Sequence, residues 1–102
     1  MATKRAYVYK EGLEYKVSPA VVILTKTDKF ELVNTTDDDA TWTVPVEIFD
    51  KPITREPLAK NSKSGEKKPK SSLNKPVGVG YEVKFGLARA KGNSDPVIII
   101  DP

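Results

Sequence analysis

A period of two runs through this chain, and nothing else in the sequence limits its fold so strongly. Ala6-Tyr7-Val8-Tyr9, Glu14-Tyr15-Lys16-Val17, Lys29-Phe30-Glu31-Leu32-Val33-Asn34, Thr41-Trp42-Thr43-Val44 and the stretch from Val79 to Phe85 all alternate between two kinds of side chain. Successive side chains on an extended backbone point to opposite faces, so each stretch reads as a half-buried strand. In the third stretch Phe30 and Leu32 share one face, and Lys29, Glu31 and Val33 take the other. Trp42 with Val44, and Tyr81 with Val83 and Phe85, form inward faces in the same way. Turn and breaker residues stand between the stretches: Gly12, Pro19, Thr27-Asp28 and Pro45. Two runs depart from alternation, Ala20-Val21-Val22-Ile23-Leu24 and Val97-Ile98-Ile99-Ile100. Apolar β-branched residues at every position suit a strand covered on both sides. No segment of useful length carries a helical period. The expectation is an all-β Greek-key sandwich, antiparallel or mixed, of about seven strands.

Length allows one domain, spanning residues 1–102. The chain has neither cysteine nor histidine, and Met1 is its single methionine. Disulfides, thiolate nucleophiles, Cys–His metal centres and imidazole-based triads are therefore chemically out of reach. The acids are scattered without a selectable facing pair, and Gly78-Val79-Gly80 is too short for a phosphate loop and leads into no helix. No catalytic residue, cofactor site or enzyme signature is legible. No apolar run is long enough to cross a bilayer, and the basic start lacks an apolar segment behind it, so neither membrane insertion nor an export leader is expected. Compartment and oligomeric state, including a homo-oligomer, are not legible.

Net charge is +3, but its distribution is uneven. Residues 51–76 hold seven Lys and one Arg against Glu56 and Glu66, a net of +6, while the rest has nine basic and twelve acidic residues and carries −3. The segment 50–76 also holds four prolines and few large apolar anchors. It reads as a long excursion with short, weak strands around Leu58 and Leu73. Its lysines, Lys60, Lys63, Lys67, Lys68 and Lys70, are the candidate contact residues for a partner. Clustered Lys attracts polyanions by releasing their counterions. No aromatic residue interleaves the cluster to stack bases, so nucleic acid is not the expected partner. The plain alternative is a solvated segment whose lysines discourage edge-to-edge pairing.

Asp37, Asp38 and Asp39, with Asn34 and Thr36 nearby, are all hard oxygen donors. They lack the spacing and the turn glycine of a calcium loop, and read as a solvated acidic turn. Trp42 reads as core. Tyr7, Tyr9 and Tyr15 lie on consecutive strands, Tyr7 and Tyr9 share a face opposite Ala6 and Val8, and whichever face is outward offers an aromatic partner surface.

Four segments in order resemble the cupredoxin family of blue-copper sandwiches. They are "YKVSPAVVILTKTDKFELVNTT", the polar loop into "ATWTVP", "PLAKNSKS", and "VGYEVKF" followed by a loop and "DPVIIID". The resemblance spans residues 7–101. It implies that the first imidazole ligand falls at Ala40 (Thr41 with a register slip) and the thiolate at Phe85. The remaining ligands would come from "GLARAKGNSDP", which has no His, Cys or Met. Copper in that family is held by soft nitrogen and sulfur donors, and none is present. The resemblance therefore implies the fold without the metal. The expected function is a copper-free, non-catalytic module for protein binding or structure, and polyanion binding through the Lys-rich segment is the rival. The loop 86–95 is a further candidate surface, with Gly86, Gly92 and Pro96 shaping its turns. An immunoglobulin- or fibronectin-type sandwich also accommodates "VGYEVKF". A parallel pairing of the first strand with a later one separates the cupredoxin arrangement from a purely antiparallel Greek key.

Overall fold

The computed structural model of the chain describes residues 2–50, 55–86, 88–89 and 96–102. The fold is all-β, with no helix among the described residues. Among the described residues ten strands follow one another: β1 (Thr3–Glu11), β2 (Glu14–Ser18), β3 (Val21–Leu24), β4 (Lys29–Asn34), β5 (Ala40–Thr43), β6 (Arg55–Leu58), β7 (Val77–Gly80), β8 (Glu82–Phe85), β9 (Ala88–Arg89) and β10 (Val97–Ile100). The alternating stretches form strands β1, β2, β4, β5 and β7–β8. The count exceeds the expected seven because Tyr81 divides one stretch in two, β6 forms the short strand expected around Leu58, and β9 is a short addition.

The described residues form three sheets, ordered β2-β1-β4, β3-β10-β7 and β6-β5-β8-β9. Two pairings are parallel: β1 with β4, from Thr3–Lys29 to Val8–Asn34, and β10 with β3, from Val97–Val21 to Ile100–Leu24. All other strand pairs among the described residues are antiparallel. The sheets are therefore mixed, and a purely antiparallel Greek key does not describe them. Pro19 sits between β2, in the first sheet, and β3, in the second. A residue without an N–H fits such a change of sheet, because it has no ladder bond to lose.

One core joins the three sheets. Ala6, Val8, Val17, Phe30 and Leu32 come from the first, Val22, Leu24, Val79, Ile98 and Ile100 from the second, and Trp42, Leu58, Val83 and Phe85 from the third. Its centre is aromatic. Phe30 lies 5.8 Å from Trp42, 6.3 Å from Phe49 and 6.1 Å from Tyr81, and the Trp42 and Tyr81 rings meet edge to face. Offset and edge contacts of this kind add roughly 0.5–1.5 kcal/mol per pair beyond burial alone. The Trp42 Nε1 and Tyr81 hydroxyl are buried there with no hydrogen bond among the described residues. Burial pushes the Tyr81 phenol well above the ordinary tyrosine value.

Three expectations need correction. The run from Ala20 to Leu24 is not covered on both faces: Val22 and Leu24 are buried, whereas Val21 is 47% and Ile23 53% exposed. Val97 and Ile99 share that outer face and are half-buried, beside Gly78 and Gly80 of β7. The sandwich has one interior, and an aliphatic outer face stays open wherever nothing packs against it. Leu73 belongs to a turn, not a strand, although it packs on the core.

The third correction concerns the basic segment, which is no excursion. Phe30 and Lys67 exchange both backbone hydrogen bonds, the Ser64 N–H donates to Leu32 O, and the Asn34 N–H donates to Ser62 O. Residues 62–67 thus extend the first sheet beyond β4. The register slips on the way: Phe30 faces Lys67, but Val33 faces Lys63. The basic side has one extra residue, which is a bulge. Gly65, at φ +81°, takes the left-handed turn that a side chain would strain. The Leu32 N–H then reaches the Ser64 hydroxyl in place of a backbone carbonyl. "KSGEK" reads as a polar loop because these pairings are made by backbone, which composition does not reveal.

Candidate functional site

Three places gather the residues that the sequence singled out. The first is the end of the β5–β8 pair. Thr41 stands opposite Lys84, so Ala40 and Phe85 lie one residue further on at the same end, and both are buried. Phe85 points inward because it continues the Tyr81–Val83 alternation. The β1–β2 hairpin, closed through Gly12 at φ +62°, brings Tyr15 over it. The two rings stack with centroids 3.9 Å apart and planes 6° from parallel. The Lys10 ammonium lies 5.3 Å from the Tyr15 centroid, within cation–π range. The Tyr15 hydroxyl donates to the Asp38 carboxylate at 2.6 Å, and that bond, followed by burial and the Asp38 charge, raises the phenol pKa. Carbon fills this end of the sandwich, in the form of an aromatic pair and a methyl group.

The second place is the acidic loop. Asn34 is fully buried and organises it. Its Nδ2 donates to the carbonyls of Asp38 and Leu58, and its Oδ1 accepts from both the amide and the hydroxyl of Thr36. The bond to the Thr36 amide, two residues on, is the local turn that asparagine favours. The three carboxylates then diverge. Asp37 accepts from Asn61 Nδ2 at 2.9 Å, Asp38 from Tyr15, and Asp39 from the Lys60 N–H at 3.0 Å. Asp37, Asp38 and Asp39 face three separate partners, and no group of three metal-binding side chains forms among the described residues. The loop is a structural turn.

The third place is the basic segment. Of the five candidate lysines, Lys67 and Lys70 are engaged. Lys67 pairs with Glu56 of β6 at 3.2 Å, with the two side chains 16% and 25% exposed. Phe30 and Trp42, their respective register partners, both face the core, so this ion pair closes the side of the sandwich between two sheets. Lys70 lies 3.8 Å from Glu47. Lys60, Lys63 and Lys68 are exposed at the surface, and none makes an ion pair among the described residues. Sequence reasoning groups all five as equals; acids distant in the chain divide them.

Tyr7 and Tyr9 point outward, since Ala6 and Val8 on the same strand are core. Tyr7 is exposed and Tyr9 half-buried, so the aromatic surface is smaller than the sequence suggests. Of the loop 86–95, Gly86 has φ +63°, while Gly92 and most of its neighbours lie outside the described residues. The Pro96 carbonyl accepts the Tyr81 N–H. Composition carries no hint of two grooves. One is a pocket of about 230 Å³ lined by Lys26, Thr27, Lys68, Pro69 and Ser71. The other is a polar groove on the outer side of β5 and β8, lined by Thr41, Thr43, Arg55, Glu82 and Lys84. No helix among the described residues is long and apolar enough to cross a membrane. No family model, curated protein or solved structure matches the chain.

Proposed function

We propose that this chain is a copper-free, cupredoxin-like sandwich with no catalytic role, which acts as a protein-binding or structural module. One observation carries the reading: Tyr15 stacks on Phe85 at the end where the resemblance puts the thiolate, with Ala40 at the imidazole position. A stacked aromatic pair contributes to packing and offers copper no nitrogen or sulfur donor. The parallel β1–β4 and β3–β10 pairings support the cupredoxin-like arrangement over a purely antiparallel Greek key. The half-exposed face of Val21 and Ile23 supports contact with another protein.

Titration with Cu²⁺ should give no intense visible band and no stoichiometric binding; tight one-to-one binding overturns the copper-free part. Purification of the tagged chain from its own host should return a stoichiometric protein partner whose binding survives moderate salt. A second reading, polyanion binding, rests on Lys60, Lys63 and Lys68, which make no ion pair among the described residues. It gains if the chain instead binds heparin or nucleic acid in a manner that collapses between low and moderate salt. Salt-independent association removes it.

A further inference from the structure

We infer that the polar trough along the outer side of β5 is a binding site for a sugar acid, a polyhydroxylated ligand with one carboxylate, of the hexuronate kind. Such a site goes beyond the proposed function and does not depend on it. Its residues stand in three separate stretches of the chain, Thr41 with Thr43, Arg55 alone, and Glu82 with Lys84.

Strand parity gives the trough a floor and two walls. Trp42, Leu58, Val83 and Phe85 are buried, so Thr41 and Thr43 of β5, Arg55 of β6, and Glu82 and Lys84 of β8 stand on the opposite, outer face. Register then aligns them. Thr43 pairs with Arg55 on one side and with Glu82 on the other, and Thr41 pairs with Lys84. Neighbouring strands lie about 4.8 Å apart, so the Arg55 and Glu82 backbones are about 10 Å apart with Thr43 between them. The short threonines form the floor, and longer charged side chains rise on either side. The groove holds about 440 Å³, inside the range of roughly 300–1,000 Å³ found for small-molecule sites. Gly86 also borders it and adds no side chain to obstruct that end.

Charge complementarity calls for an anion. Among the described residues two cations and one acid line the groove, a net of +1. Lys84 is matched, 3.4 Å from Glu82. Arg55 is exposed and makes neither an ion pair nor a side-chain hydrogen bond among the described residues. Its planar fork fits a carboxylate through two parallel N–H bonds.

The rest of the lining calls for hydroxyls. Glu82 offers acceptor oxygens, and the threonine hydroxyls both donate and accept. A bare anion has acceptors only, and a dianion such as phosphate meets like charge at Glu82. A ring of hydroxyls carrying one carboxylate answers both demands. The carboxylate goes to Arg55, and the hydroxyls go to Thr41, Thr43 and the Glu82–Lys84 wall. No aromatic side chain lines the groove among the described residues, so recognition rests on these polar contacts.

The test is a titration of the ¹⁵N-labelled chain with sodium glucuronate at constant ionic strength, followed by amide and Arg55 Nε shifts. Saturable shifts at Thr41, Thr43, Arg55 and Lys84 are expected. Glucose lacks the carboxylate, and acetate and inorganic phosphate lack the hydroxyls. Each of the three should bind about fivefold more weakly or not at all, the effect of losing one or more hydrogen-bonded contacts. Arg55→Ala and Thr43→Val should each weaken glucuronate binding by about fivefold for the same reason. Melting temperatures should hold, because Arg55 makes no ion pair among the described residues and valine suits an exposed strand face. The inference is overturned if shifts stay linear in glucuronate, or spread to Lys60, Lys63 and Lys68. It is equally overturned if glucose, acetate or phosphate binds as tightly, or if either folded variant binds like the parent. Should a variant unfold, the ligand comparison on the parent chain decides by itself.

Discussion

The acidic loop at Asp37–Asp39 and the basic segment from Lys60 to Lys70 stand out equally in the sequence as charge runs. They have opposite fates. Every carboxylate of the acidic loop is taken by a hydrogen bond from inside the molecule, and two of those bonds come from the basic segment itself, through Asn61 and Lys60. The basic segment gives its backbone to the sheet and the Lys67 side chain to Glu56. Among the described residues, it leaves Lys60, Lys63 and Lys68 without acids. Charge density is therefore a poor guide to a binding surface. What matters is how many of the charges the fold itself neutralises, and that depends on residues far away in the chain.

The largest test of this contrast is Asn34→Ala. It removes the side chain that holds the acidic loop: the buried Thr36 amide loses its acceptor, the Asp38 and Leu58 carbonyls each lose a donor, and the Thr36 hydroxyl keeps only its contacts with the Asp38 backbone. A loss of about 3 kcal/mol is expected, which lowers the melting temperature by about 10 °C or more. If the loop is instead a free solvated turn, thermal unfolding will barely move.

Within the basic segment the engaged and unengaged lysines should separate. Lys67→Ala leaves Glu56 half-buried without its cation, and should cost about 1 kcal/mol in urea unfolding. Equal costs for Lys67→Ala and Lys63→Ala would erase the distinction drawn between them.

A third prediction carries the contrast to Asp28, an acid outside both regions that is likewise absorbed by the fold. Hydrogen bonding from the Thr25 backbone, opposed by burial and aided by the Thr25 side chain, Lys4 and Ala2, holds its carboxyl below the usual carboxylate range. A lowered folded pKa means that its stabilisation is complete above the unfolded value of about 3.9 and is lost as pH falls through the folded value. Asp28→Asn should therefore flatten the acid limb of stability below about pH 4. An unchanged limb would show that other groups, Glu66 among them, dominate acid unfolding.

The smallest effect is expected at Lys63→Ala, which should change stability by less than about 0.5 kcal/mol, since its ammonium makes no ion pair among the described residues. That variant separates surface charge from architecture, since any loss of polyanion binding it produces cannot be attributed to unfolding.

Much of the fold is legible in the sequence because its signal is local. A side chain's face in a strand depends only on its parity, so alternation alone assigns Phe30, Leu32, Trp42, Val44 and Val83 to the interior, where they are buried. The same logic fails at Val21 and Ile23, because parity says which residues share a face but not whether that face is covered. The extended run at 62–70 escapes it for a related reason. Its ladder is backbone, interrupted by the bulge at Gly65, and carries no apolar alternation to announce it. At the candidate sites, the missing soft donors and the acidic loop's unsuitability for calcium are readable from residue types. The Lys67–Glu56 closure and the alignment of Arg55 with Thr43 and Glu82 are not.

Sequence alone determined that this chain folds as β-structure, that Trp42 and its alternating neighbours form the core, and that thiolate and imidazole chemistry are beyond it. Those properties follow from strand periodicity and from which functional groups exist at all. Tertiary structure decided which charges the fold neutralises, which aliphatic face stays open, and that Tyr15 covers Phe85. These depend on contacts between segments dozens of residues apart, set by the parallel β1–β4 and β3–β10 pairings, and no local pattern encodes such distances.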